Sequence, residues 1–63
     1  MINNLKVKRD EQNLTQKYVA DELGIIESSY ARYERGESEP SAQRAIAIAK
    51  ILKTTVEELY KID

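Results

Sequence analysis

"LTQKYVADELGIIESSYARYERG", residues 14–36, contains the only two glycines, at 24 and 36, of a chain of 63 residues. The apolar residues before each glycine recur at helical spacing, so each glycine reads as the stop of a helix. Thr15 offers a side-chain oxygen as N-cap to the first helix, which continues "QKYVADEL" and buries Val19, Ala20 and Leu23. Gly24 ends it, and a second helix follows almost at once, with Tyr30 and Tyr33 on its inner face and Gly36 at its end. Two helices joined by so short a turn must pack closely. Ala20 is small where they press together, and a Cβ at position 24 would resist the positive φ of the turn. The segment Gln16 to Arg35 therefore reads as a helix-turn-helix. An alanine followed four residues later by a glycine also occurs in helical proteins of other kinds, so this pair alone does not decide the matter.

Outward from that motif the pattern stays helical, and the chain is expected to be a single all-α domain, residues 1–63, of five short helices. Helix 1 is expected over Ile2 to Gln12, burying Ile2, Leu5 and the stem of Arg9, with Asn13 as a left-handed cap. After the loop "ESEPS", Ser41 caps helix 4, "AQRAIAIAKIL", whose core stripe is Ala45, Ile48, Ala49 and Leu52. Thr55 and Glu58 have the spacing of a capping box for a last short helix, "VEELY". Ile46 and Ile51 sit on opposite shoulders of the helix 4 stripe, more apolar surface than one small core needs.

Composition narrows the function. The chain has no Cys and no His, which excludes disulfides, zinc sites and thiol or imidazole catalysis. Adjacent carboxylates such as Glu57 and Glu58 point apart on a helix, no nucleophile–base pair is visible and "ERGESE" lacks calcium-loop spacing, so no catalytic residue, metal or cofactor is expected. The longest apolar run, "AIAIA", is too short to span a membrane, and "MINNLKVKRD" lacks the apolar core of a signal peptide, so a cytoplasmic location is expected. Ten Lys and Arg against eleven Asp and Glu give no global basic signal. The acids cluster at Asp10 and Glu11, Asp21 and Glu22, Glu37 and Glu39, and Glu57 and Glu58, whereas Lys17, Arg32, Arg35 and Arg44 fall elsewhere, predicting two surfaces of different sign.

The run "LTQKYVADELGI", "YARYERGESEPS", "AIAKIL" and "TVEELY" resembles the lambda-repressor-like (Cro and repressor type) helix-turn-helix family, in the order "LTQ", "A", "LG", "ERG", "PS", "IA" and "EL", over about Leu5 to Tyr60. The resemblance implies a five-helix DNA-binding domain whose second motif helix enters the major groove of double-stranded DNA. On that helix the outward residues are then Glu27, Ser28, Ala31, Arg32 and Arg35. Arg32 can present a bidentate fork to a guanine edge, Ser28 can serve base or phosphate, and Glu27 either accepts from a cytosine amino group or repels phosphate. In the family the starts of helices 2 and 4 bracket this helix, and helix N-termini attract anions, which makes Gln16, Lys17, Ser41 and Arg44 phosphate contacts, with Arg35 joining them. Arg9 and Glu34 match a family pair that resembles an internal salt bridge between helices 1 and 3.

The chain departs from the family pattern at four positions. Ile26 stands where a Ser or Thr N-cap is usual, Tyr18 replaces the Glu of the helix 2 capping box, Lys8 replaces an apolar residue and Lys53 replaces a left-handed glycine. A chain so short stabilises itself narrowly, and these changes point to reliance on a partner. Ile51, Tyr60 and Ile62 are the apolar residues left for a homodimer interface, and two-fold symmetry then implies a pseudo-palindromic operator. The expected function is a homodimeric repressor without a small-molecule ligand. A restriction–modification controller, an antitoxin-like regulator and a protein-interaction module on the same fold are the alternatives.

Overall fold

The computed structural model describes residues 3–61, with five helices in the order α1 (Leu5–Glu11), α2 (Gln16–Leu23), α3 (Glu27–Arg35), α4 (Ala42–Ile51) and α5 (Val56–Leu59). No strand occurs among the described residues. Three helices begin on the hydroxyl caps expected of them. The side chains of Thr15, Ser41 and Thr55 accept the backbone N–H groups of Tyr18 at 3.0 Å, Arg44 at 3.2 Å and Glu58 at 3.2 Å. Each satisfies one donor that the helix start leaves without a partner.

The first four helices all end the same way. Asn13 (φ 58°), Gly24 (φ 73°), Gly36 (φ 75°) and Lys53 (φ 56°) take left-handed backbone just past α1, α2, α3 and α4. Paired bonds then fold each turn back: behind α2, Gly24 N–H donates to Asp21 O at 3.1 Å and Ile25 N–H to Ala20 O at 3.0 Å. This is the Schellman pattern. A Cβ at Gly24 would meet no atom within 4 Å, so only the positive φ calls for glycine there. The lysine at 53 accepts a backbone strain that glycine would avoid.

Helix 1 starts later than its sequence pattern predicts, at Leu5 rather than Ile2. Asparagine side chains compete with the helix for backbone partners, and here they divert the chain. Asn3 Oδ1 accepts from Leu5 N–H at 3.0 Å, while Asn3 Nδ2 donates to Tyr33 O at 2.9 Å. Asn4 donates its N–H to Leu59 O at 2.7 Å and its amide to Glu58 O and Lys61 O at 3.0 and 2.8 Å. The N-terminal segment is thereby tied to α3 and α5 at once. Ile2 and Ile62 lie outside the described residues.

The core takes at least one fully buried residue from each helix: Leu5, Val19 and Ala20, Tyr30, Ile48 and Leu59, with Leu52 beneath the end of α4. The Tyr30 and Tyr33 rings meet edge to face, their centroids 6.4 Å apart. Three burial expectations change. Leu23 is only half-buried at the end of α2. Ala31, expected outward, is buried, because α3 packs against both α2 and α1 and its covered arc is wider than the two-tyrosine seam. Ile51 and Tyr60 are half-buried and pack against the core, whereas Ile46 is left 49% exposed. Ile51 is thus only partly covered within the fold, and the more exposed apolar shoulder is at Ile46.

Candidate nucleic-acid interface

Helix α3 divides into a covered arc and an open one. Tyr30, Ala31 and Tyr33 are buried, whereas Glu27, Ser28, Arg32 and Arg35 are exposed. Glu27 stands in the first turn and Arg32 and Arg35 in the last, the arrangement the helix dipole favours. Ile26 occupies the N-cap with no side-chain bond and 69% exposure, so the first turn of α3 lacks the hydroxyl that starts α2 and α4. Small Ser28 near the start and the long cations toward the end give the open face a shallow and a reaching half.

A buried ion pair fixes the other side of α3. Arg9 donates Nε to Glu34 Oε2 at 2.6 Å and Nη2 to Glu34 Oε1 at 3.2 Å, and its Nη1 reaches Leu14 O at 2.8 Å. Gln16 Nε2 adds a bond to Glu34 Oε1 at 2.9 Å. The two charged side chains are only 10% and 4% exposed. Burial alone would raise the Glu34 pKa, but the bonds from Arg9 and Gln16 outweigh it and hold the carboxyl below its ordinary value. The bond to Glu34 raises that of Arg9. The Tyr30 hydroxyl is buried with no partner of hydrogen-bond geometry, and burial followed by the nearby Glu34 carboxylate pushes its pKa up. Three helices meet at this carboxylate, and Arg9 ties the loop after α1 to them.

The starts of α2 and α4 converge on neighbouring residues of α3. Gln16, the first residue of α2, reaches Glu34, and Arg44, in the first turn of α4, donates Nη1 to the Tyr33 hydroxyl at 3.0 Å. Two of the side chains assigned to phosphate thus have partners inside the fold. Ser41 is exposed, its hydroxyl engaged as the α4 cap. Lys17 is exposed and pairs with Asp21 one turn later at 3.1 Å.

The expected separation of charge into two surfaces does not occur. Lys17 and Asp21 share a helix face because residues four apart are neighbours there. Glu37 is brought back to the end of α3 by the turn at Gly36, where it pairs with Arg35 at 2.7 Å and lies 4.0 Å from Arg32. Acids are interleaved with the cations of the candidate face. Glu37 is the residue that sequence reasoning misplaced; its signal was an acid two residues beyond Arg35, across a left-handed glycine. Asn3 was missed as well, since its partner lies thirty residues away on α3.

Among the described residues no group of three His, Cys, Asp or Glu side chains lies close enough together to hold a metal ion, and no helix is long and apolar enough to cross a membrane.

A family model described as helix-turn-helix matches residues 5–59. The chain is 41% identical over 58 residues to the uncharacterized HTH-type transcriptional regulator YqaE of Bacillus subtilis, covering 92% of this chain and 50% of that one. It is 40% identical over 52 residues to the cryptic phage CTXphi transcriptional repressor RstR of Vibrio cholerae, covering 82% and 46%. The chain therefore spans about half the length of these two relatives. A crystal structure of a proposed DNA-binding protein from Bacteroides fragilis superposes with a TM-score of 0.88 at 25% identity, over 95% of this chain and 97% of that one.

Proposed function

We propose, because this chain belongs to the lambda-repressor-like helix-turn-helix family, that it binds double-stranded DNA in the cytoplasm as a sequence-specific transcriptional repressor. The observation that carries the reading is the open face of α3, with Ser28, Arg32 and Arg35 presented outward while the Arg9–Glu34 pair and the two tyrosines lock the opposite face. A rigid helix with one polar, partly cationic face suits the major groove. Arg32 is the base reader in this proposal, with Ser28 and Glu27 beside it. Lys17, Ser41 and the first turns of α2 and α4 meet phosphates, as do Gln16, Arg35 and Arg44 once they turn from their internal partners. The repressor named among the relatives supports the sign of regulation.

The proposed regulator is a homodimer that joins through α5 and the end of α4, using Tyr60, Ile51 and Ile62. Its half-sites lie about 34 Å apart, one turn of the duplex. Selection of bound duplexes from a random pool, followed by footprinting, tests this directly. The expected result is an enriched pseudo-palindrome protected over both halves. Enrichment of no sequence, or protection of a single half-site by a monomer in sedimentation, overturns it.

A further inference from the structure

Arg35 does not stand free at the end of α3. Its Nε donates to Glu37 Oε2 at 2.7 Å and its Nη2 to Glu37 Oε1 at 3.2 Å, while Arg32 Nε lies 4.0 Å from the same Oε1. One carboxylate therefore spans both arginines of the open face. The backbone holds it there: Gly36 turns at φ 75°, and Glu37 N–H donates to Arg32 O at 2.9 Å. Helix stability gives no reason for this acid. A negative charge beside the C-terminal end of a helix opposes its dipole, and an exposed ion pair contributes little.

We propose that Glu37 is a specificity-determining residue, an internal substitute for phosphate that occupies Arg32 and Arg35 until a duplex displaces it and so suppresses binding to DNA of the wrong sequence. The inference rests on the reading of α3 as the groove helix. A non-cognate duplex offers the two arginines only phosphate oxygens, so each exchanges one anion for another and the Glu37 carboxylate is left facing the backbone. Little is gained by that exchange, because few counterions are released when the cations were already neutralised. A cognate duplex gives Arg32 two further bonds, to guanine O6 and N7. Glu37, 4.0 Å from Arg32, contests those only weakly, and its closer pairing, with Arg35, is the one a phosphate displaces in either mode. The carboxylate thus penalises the unspecific mode more than the specific one, as repulsive elements do elsewhere in recognition.

Glu37→Gln in the full chain keeps the shape of the side chain and removes its charge. At 0.15 M salt the variant is expected to bind a scrambled 30-base-pair duplex roughly three- to tenfold more tightly than the wild type, from the lost repulsion at short range. The slope of log affinity against log salt should steepen by about one for each arginine freed. Affinity for the duplex selected by the wild type should rise by a smaller factor, so the ratio between the two narrows. Adding Arg35→Ala to Glu37→Gln should cancel most of the gain on scrambled DNA. Equal gains on both duplexes, or none on the scrambled one, overturn the role of Glu37 while the wild type's own preference leaves the DNA reading standing. A wild type that binds no duplex overturns both.

Discussion

The Arg44 guanidinium donates to the Tyr33 hydroxyl at 3.0 Å and so holds a cation of α4 over the covered side of α3. A cation in the first turn of a helix opposes the dipole by a few tenths of a kcal/mol, and the phenol gives this one a fixed partner. Tyr33→Phe removes that partner and keeps the ring against Tyr30. Thermal unfolding should show a loss of about 0.5–1.5 kcal/mol, the contribution of one partly buried hydrogen bond. Binding to selected and scrambled duplexes should tighten slightly and alike, since Arg44 no longer gives up its bond to the hydroxyl to reach the phosphate.

The Arg9–Glu34 pair predicts a larger effect. Glu34→Gln leaves Arg9 buried without its counter-charge, and breaking a buried pair from one side costs about 3–5 kcal/mol. Urea denaturation of the variant should therefore show a chain close to unfolded at room temperature, because the core of a domain this small rarely supplies more than about 3–5 kcal/mol.

The same pair sets the acid limb of stability. The folded Glu34 carboxyl titrates below its ordinary value of 4.5. Its contribution is thus fully present above that value and is lost as pH falls through the lower folded one. Urea midpoints measured from pH 7 downward should hold until the ordinary carboxylate range and then drop. In a double variant, Arg9→Met with Glu34→Leu, this part of the decline should vanish.

Lys53 at φ 56° is a lysine in a glycine's conformation. Left-handed backbone costs a residue with a Cβ roughly 1–2 kcal/mol, and the looser unfolded chain of a glycine returns about 0.4–1 of that. Lys53→Gly should raise stability by about 0.5–1 kcal/mol, read as an upward shift of a few degrees in melting temperature.

Base reading and phosphate contact separate by titration. Arg32→Ala should cost about 1–3 kcal/mol on the selected duplex and relax preference at one base pair per half-site. Lys17→Ala should weaken selected and scrambled DNA about equally and flatten the salt dependence by about one unit of slope. If Arg32→Ala weakens both duplexes alike with base preference intact, Ser28 or Glu27 carries the reading instead.

Helix ends were legible in the sequence because their chemistry is local. The caps of Thr15, Ser41 and Thr55 each reach a backbone donor three residues on, and the turns at Asn13, Gly24, Gly36 and Lys53 close within one helical turn. The inward direction of Tyr30 and Tyr33 followed from the helical period. Packing between distant segments decided the rest. Asn3 and Asn4 leave the helix for partners 30 to 57 residues away, Ala31 is covered by neighbouring helices, and Ile51 is drawn onto the core while Ile46 stays outside. Charge partnership divided the same way. Lys17 and Asp21 pair along one helix, but Gln16 turning to Glu34 and Arg44 to Tyr33 required α2 and α4 to be laid against α3 first. A side chain's nearest partner in space depends on where every helix axis runs, and those axes are set jointly by the whole core rather than by any one stretch of residues.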